Sequence, residues 1–271
     1  MEFQTLKIDL QDHLAWLRLN RPDKANAFSL TMWEELPRAV AWLNEQSAVR
    51  VVILCGEGRH FTAGIDMEAL MHLGQMVGNK GCAARARENL RNFILSAQDC
   101  FSSLERLRVP VIAAVHGACI GAGVDLIAAC DLRYCTADAK FSIKEVDLAV
   151  TADVGTLQRL RHVIGLARLS ELSYTGDTFD GHKALDMGLV GAAYASREEL
   201  MDHATQLAHR IAAKSPVTVR GIKHNLLYSR DHSVRDGLEM VATWNAAMLV
   251  SDDLGEALAA YMQKREPRFA D

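Results

Sequence analysis

The chain has 271 residues, 49% of them hydrophobic, enough for one large core with a smaller appendage. Its formal charge of −4, with no stripe of Lys and Arg, excludes the basic face that non-specific nucleic-acid binding requires. No apolar run approaches the ~18 residues of a membrane span. The first residues lack the basic-then-apolar order of a secretory signal, and the last four, Arg-Phe-Ala-Asp, are not a peroxisomal address. Six cysteines without a C-x-x-C pair are expected to be reduced and mostly buried, which points to the cytoplasm.

In chain order, residues 3–9 and 13–19 alternate apolar and polar, predicting a β-hairpin turning at Gln11 and Asp12. Ser29 is placed to cap a helix running to about Gln46. Residues 51–54, wholly apolar, predict a strand covered on both faces. A glycine-bearing loop, 56–66, leads into a Met-rich and then Arg-rich helical region over 67–106. Residues 109–115 predict a second buried strand, running into a glycine-rich turn at 116–123 and a helix over 124–130. Further short strands are expected at 132–136 and 140–143, and helix from 154 almost to the end. Strands interleaved with helices, then a helical tail, define an α/β core, 1–205, with a C-terminal helical segment, 206–271.

Two stretches share one physical logic. VVILCGEGRHFTAGID and VIAAVHGACIGAGVD each carry an apolar strand into a glycine-rich turn and then a helical segment. Small residues there free backbone N–H groups to point into a common space, where two of them could hold a carbonyl oxygen. Such turns could equally be plain connections. Gly121-Ala122-Gly123-Val124-Asp125-Leu126 fails the dinucleotide fingerprint for want of a third glycine, and neither a P-loop nor a nucleophile elbow is present.

Carboxylates are therefore the leading reactive groups. Asp125, Glu145 and Asp153 sit in apolar surroundings downstream of the two turns. Desolvated carboxyls acquire raised pKa values and can exchange protons with weak carbon acids. Each also has a plain alternative: Asp125 as a first-turn acid on the helix dipole, Glu145 as a partner of Lys144 or Arg133, and Asp153 as the cap of a helix starting at Val154. His60 and His116 flank the turns without metal-type spacing. Met67, Leu70, Met71, Leu73 and Met76 fall at helical spacing, as core or as the lining of an acyl pocket.

Asn20-Arg21-Pro22 with Ala25-Asn26-Ala27, Phe61-x-Ala63-Gly64-x-Asp66, His116-Gly117 with Gly121-Ala122-Gly123, Ala129-Cys130-Asp131 and Lys264-Arg265-Glu266-Pro267-x-Phe269 together resemble the enoyl-CoA hydratase/isomerase (crotonase) superfamily along almost the whole chain. GVDLIAACDLRYCTADAKFSIKEVDLAVTADVGTLQRL, the stretch 225–233 and Trp244-Asn245 are similar to its dienoyl-CoA isomerases. The hallmark is a third acid at Asp153, where hydratases carry a small residue.

This resemblance implies a spiral of repeated ββα units with a C-terminal helical segment that builds trimers or dimers of trimers. It implies an acyl-CoA thioester as substrate and no cofactor, coenzyme A being part of the substrate, with no nucleic-acid or membrane partner. The Ile65 and Ala122 N–H groups would hold the thioester oxygen, although Ala122 stands where glycine is usual. Asp153 would act as base and Glu145 as acid, with Asp125 supporting them. Arg21, Lys24 and Ala25 would meet coenzyme A at its entry, Ala63, Gly64, Asp66 and Gly121 would line the substrate, and Lys264 and Phe269 would approach the nucleotide, from a neighbouring subunit if not their own. The implied reaction moves the double bonds of a 3,5-dienoyl-CoA to 2,4. A 2-enoyl-CoA hydratase is the alternative, and a non-catalytic RNA-binding homologue on the same fold the other.

Overall fold

Alternation along the central strands decides the architecture. In β3 (Val51–Gly56), Val52 and Leu54 point to one face and Val51, Ile53 and Cys55 to the other, and all six residues are buried. The same division runs through β4 (Val111–Val115). A strand apolar on both sides must be covered on both, and it is. The structure, a computed structural model, describes residues 2–71 and 82–271.

The hairpin forms from β1 (Leu6–Gln11) and β2 (Leu14–Leu19), paired antiparallel with Gln11 opposite Leu14. The turn is Asp12-His13, one residue later than expected, because these two adopt positive φ values of 49° and 67° and Gln11 stays in the ladder. Parallel additions then extend the sheet through β3, β4, β6 (Leu132–Thr136) and β9 (Ala193–Tyr194), in the order β1-β2-β3-β4-β6-β9. A second sheet, β5-β7-β8, joins Ala118–Ile120, Lys140–Ser142 and Phe179–Asp180. Three of these strands lay outside the expected set. β5 lies inside the stretch read as a glycine turn, and β8 and β9, of two residues each, lie where helix was expected. Such short strands carry no readable period; their sheet partners define them.

One face is covered by α1 (Leu30–Glu45) and α2 (Ala83–Arg106). Ser29 caps α1 as expected, its Oγ accepting the Met32 N–H. On this side Phe28, Trp33 and Phe101 form an aromatic cluster with ring centroids 4.7–5.3 Å apart. A short helix, α3 (Ala122–Ala128), follows β4 and β5, so the ββα unit of β1-β2-α1 recurs as β4-β5-α3. Beyond it come α4 (Thr156–Arg159), α5 (Leu166–Thr175) and α6 (Gly181–Asp186). Residue 67 begins a helical stretch, as expected; Leu73 and Met76 lie outside the described residues.

The other face of the sheet is covered by α7 (Arg197–Ala212), which packs Leu200, Ala204, Ala208 and Ala212 on it. Alanines four apart form a smooth stripe on which the helix can lie close. The division expected between 205 and 206 falls within this helix.

The tail helices α8 (Pro216–Asp231), α9 (Val234–Met248) and α10 (Asp252–Gln263) follow. Two buried cations tie them to the sheet layer. Lys223 Nζ reaches Asp131 Oδ2 at 2.8 Å and the Val109 carbonyl at 3.0 Å. Arg50 donates to the Ala212 and Phe269 carbonyls and to Asp271. The faces of α8, α9 and α10 turned from the sheet remain apolar, with Leu226, Val234, Leu238 and Tyr261 all exposed.

Candidate active site

The two glycine-bearing loops lock together. Thr62 pairs with Cys119 in a parallel bridge, through Thr62 N to Ala118 O at 2.9 Å and Ile120 N to Thr62 O at 3.2 Å. The flanking histidines complete the lock: His60 Nδ1 accepts the Ala118 N–H, and His116 Nε2 lies 3.1 Å from the Gly58 carbonyl. Gly64 makes the approach possible, since at φ +93° a methyl there would sit 2.7 Å from Ile120 O and 3.7 Å from Ala122 N. Ile65 follows directly and pairs with Phe28, whose bonds use the Gly64 carbonyl and the Asp66 N–H. Among the described residues, neither the Ile65 N–H nor the Ala122 N–H at the start of α3 has a protein acceptor. Two free donors on adjoining loops can hold one carbonyl oxygen.

Both loops open into a cavity of about 540 Å³, lined by Ala63, Gly64, Ile65, Gly121 and Ala122 and by all three candidate acids. Asp125, on α3, is fully buried, and its Oδ1 accepts the Thr156 N–H at 2.6 Å. Glu145 projects from the turn after β7, and Asp153 from the loop before α4; both are half-buried. The plain alternatives fail at Glu145 and Asp153. Lys144 pairs with Asp147, and Arg133 donates to the carbonyls of Ile127, Cys130 and Leu189, so neither holds Glu145. α4 starts two residues later than expected, with Gly155 at its cap position and no side-chain cap, so Asp153 caps nothing. Asp125 does sit in a first turn, but its carboxyl reaches across to Thr156.

The electrostatics follow from burial. Asp125 Oδ2 and Glu145 Oε2 are buried and have no donor among the described residues. The two carboxyls are near enough for the charge of Glu145 to act on Asp125. Two ionised carboxylates this close would repel in a site without water's screening, which favours one proton held between them. Burial, and then the charge of Glu145, push Asp125 up to about 7. Glu145 is raised by its own burial, against hydrogen bonds that favour its anion, with the charge of Asp153 adding to the rise. Desolvation likewise raises Asp153.

Apolar side chains complete the lining. Met67 and Leu70 contribute as read from the sequence; Met71 is exposed and outside the lining. Trp33 of α1, Phe93, Ile94 and Ala97 of α2, and Leu148 and Val150 beside Glu145 were not anticipated. The α2 set stands at i, i+1 and i+4, a signal masked by the arginines around it.

Of the other expected contacts, one group converges. Arg21, Ala25, Ala63 and Asp66 meet at the mouth of the loops: Ala63 N donates to Ala25 O at 2.9 Å, and Arg21 Nη1 to Asp66 Oδ2 at 2.9 Å. Fully buried Asn26 ties the mouth together through Arg21 N, Glu57 O and His60 O. The Glu68 N–H and the Arg21 guanidinium hold Asp66 below the usual carboxylate range against its desolvation. Lys24 is exposed at the same turn. Lys264 and Phe269 lie elsewhere: Lys264 ends α10, and Phe269 lines a groove among α8, α9 and α10.

Free amide donors beside buried acids, on a spiral of ββα units, place the chain among proteins that act on acyl thioesters, and a family model described as enoyl-CoA hydratase/isomerase matches residues 9–271. The chain belongs to that family. It is 50% identical over 254 residues to the peroxisomal Delta(3,5)-Delta(2,4)-dienoyl-CoA isomerase of Arabidopsis thaliana, covering 94% of this chain and 91% of that protein. It is 45% identical over 260 residues to the mitochondrial enzyme of the same name from Mus musculus, covering 95% and 79%. Among solved structures, an enoyl-CoA hydratase from Bacillus anthracis superposes with a TM-score of 0.89 at 31% identity, covering 98% of this chain and 99% of that one.

Proposed function

We propose that the chain is a dienoyl-CoA isomerase, converting a 3,5-dienoyl-CoA to the 2,4-isomer. The carrying observation is the grouping of Asp153 with the Asp125–Glu145 pair on one largely apolar cavity beside two free N–H donors. The thioester oxygen accepts from Ile65 and Ala122, which stabilises the enolate left when a proton leaves C2. Asp153 takes that proton. The negative charge spreads from the thioester along the diene to C6, where Glu145 delivers a proton, and the double bonds come to rest at C2 and C4. Asp125 supports Glu145 by holding the other end of the shared proton. Glu145 can thus be ionised in the pair and still have a proton within one hydrogen bond.

Arg21, Lys24 and Ala25 receive coenzyme A at the mouth, where Arg21 acts with its charge already balanced by Asp66. Ala63, Gly64, Asp66 and Gly121 shape the passage to the acids. Lys264 and Phe269, remote from this cavity in their own chain, would meet the nucleotide of a second copy in a trimer or a dimer of trimers. No cofactor besides the substrate's coenzyme A is required. A reducing compartment, in our reading the cytoplasm, suits six thiols of which none is paired.

The test is a panel of 3,5-dienoyl-CoA and 2-enoyl-CoA substrates. Appearance of the conjugated 2,4-dienoyl absorbance from the first supports the proposal, and turnover of crotonyl-CoA alone would replace isomerase by hydratase. Asp153→Asn should abolish exchange of the α-proton with deuterated solvent, and continued exchange would reverse the roles of Asp153 and Glu145.

A further inference from the structure

The loop that carries Asp153 has open space on two sides. Inward lies the apolar cavity. Outward lies a polar cavity of about 510 Å³, lined by Gln98, Ser102, Glu105, Arg159 and Arg230, which Asp153 and Val154 also border. Between these spaces Ala152 and Val154 rest on the core, and hydrogen bonds fix the backbone around them.

They do so residue by residue. Gln98 Nε2, on α2, donates to the Asp153 carbonyl at 2.7 Å. Arg159 Nη1 donates to the Val154 carbonyl at 3.3 Å. At Gly155, φ is +134° and the Arg159 guanidinium fills the side-chain position, with Nη1 only 1.7 Å from where a Cβ would stand. The Thr156 N–H is taken by Asp125. Arg159 is itself gripped: its Nε donates to Glu105 Oε1 at 3.1 Å, and its Nη2 to Ser102 Oγ at 2.8 Å and Glu105 Oε2 at 3.3 Å. Arg230 of α8 closes on Glu105 from the far side. The Arg159 and Glu105 side chains are only 11% and 15% exposed, so water screens this ion network little. Burial would push the Glu105 carboxyl up, but the two guanidiniums outweigh it and hold Glu105 below the usual range.

We infer that Gln98 and Arg159, the latter braced by Glu105 and Arg230, are positioning residues that set where the Asp153 carboxyl meets the substrate's C2. This rests on the proposal that Asp153 takes the α-proton. None of the four need touch substrate; they act through the backbone at 153 and 154. Through Arg230, a helix of the C-terminal segment reaches the catalytic loop.

The experiment measures kcat, KM and α-proton exchange for Gln98→Leu and Arg159→Lys, each alone and in an Asp153→Asn background. Because misplacing a catalytic group by an ångström can cost about a hundred-fold in rate, a loss of roughly ten-fold in kcat is expected for each variant, with KM nearly unchanged. In the Asp153→Asn background neither change should lower the residual rate further. An unchanged kcat, a rise in KM that accounts for the loss, or an equal loss in both backgrounds overturns the inference. Should Arg159→Lys fail to fold, Gln98→Leu decides alone, since it removes one hydrogen bond from a partly exposed side chain. Wild-type exchange in Asp153→Asn itself is a separate result: it sinks the base assignment and takes this inference with it.

Discussion

Asp125 shows how a single residue couples stability to chemistry. Its folded pKa is raised, so its burial is tolerated fully below the ordinary carboxylate range and becomes progressively less favourable as pH rises to about 7. Asp125→Asn, neutral at every pH, should therefore gain in thermal midpoint relative to wild type between pH 4 and about 7, with a constant gap above; a gap independent of pH would show that Asp125 ionises in the fold as it does in water. The activity profile should be bell-shaped. On the proposed roles it should fall in acid as Asp153 takes a proton, and in alkali as the Asp125–Glu145 pair loses its own. Both limbs should lie above the range of free carboxylates, since all three acids are shifted upward. Glu145→Gln should lower kcat by about a thousand-fold.

Elements carry the loops to one another through close backbone approaches. Gly64 lies against Ile120, and Gly64→Ala would combine strain at positive φ with a 2.7 Å clash that displaces the Ile65 N–H. A fall in kcat/KM of about a hundred-fold is expected, the scale of losing one oxyanion donor, with a lowered thermal midpoint. A different junction holds α8: Lys223→Met leaves Asp131 without its buried ammonium partner and should cost about 3 kcal/mol in urea-unfolding free energy. Neither Lys223 nor Asp131 lines the cavity that carries the three acids, so the specific rate of the protein that remains folded should be retained. α1 was legible in the sequence from its cap and its apolar period, and β3 and β4 from their unbroken apolar runs. β5, β8 and β9 were not, because strands of two or three residues exist only through their partners.

At the scale of the molecule, the unsatisfied surface is the outer side of α8, α9 and α10. Val234 is 81% exposed and Tyr261 84%, more apolar exposure than scattered surface residues explain. Sedimentation equilibrium should give a mass three or six times 29.9 kDa, and Leu238→Arg, on this face, should lower it. A monomer at all concentrations would remove the neighbouring subunit to which Lys264 and Phe269 are assigned.

The sequence by itself determined the family, the glycine-bearing turns and the identity of the three acids, because these depend on residue types at fixed spacing. It also showed strands giving way to helices toward the C-terminus, since hydrophobic period is local. Only the tertiary structure removed the cap and ion-pair readings of Asp153 and Glu145. Asp153 reads as a cap until α4 is seen to start at Thr156, and Glu145 reads as a surface partner until Lys144 and Arg133 are seen bound elsewhere. The same holds for the nearness of Asp125 to Glu145, the apolar wall from α2 and the clamp behind Asp153. Each is a contact between segments distant in the chain, and burial and charge act through space, which no local pattern encodes.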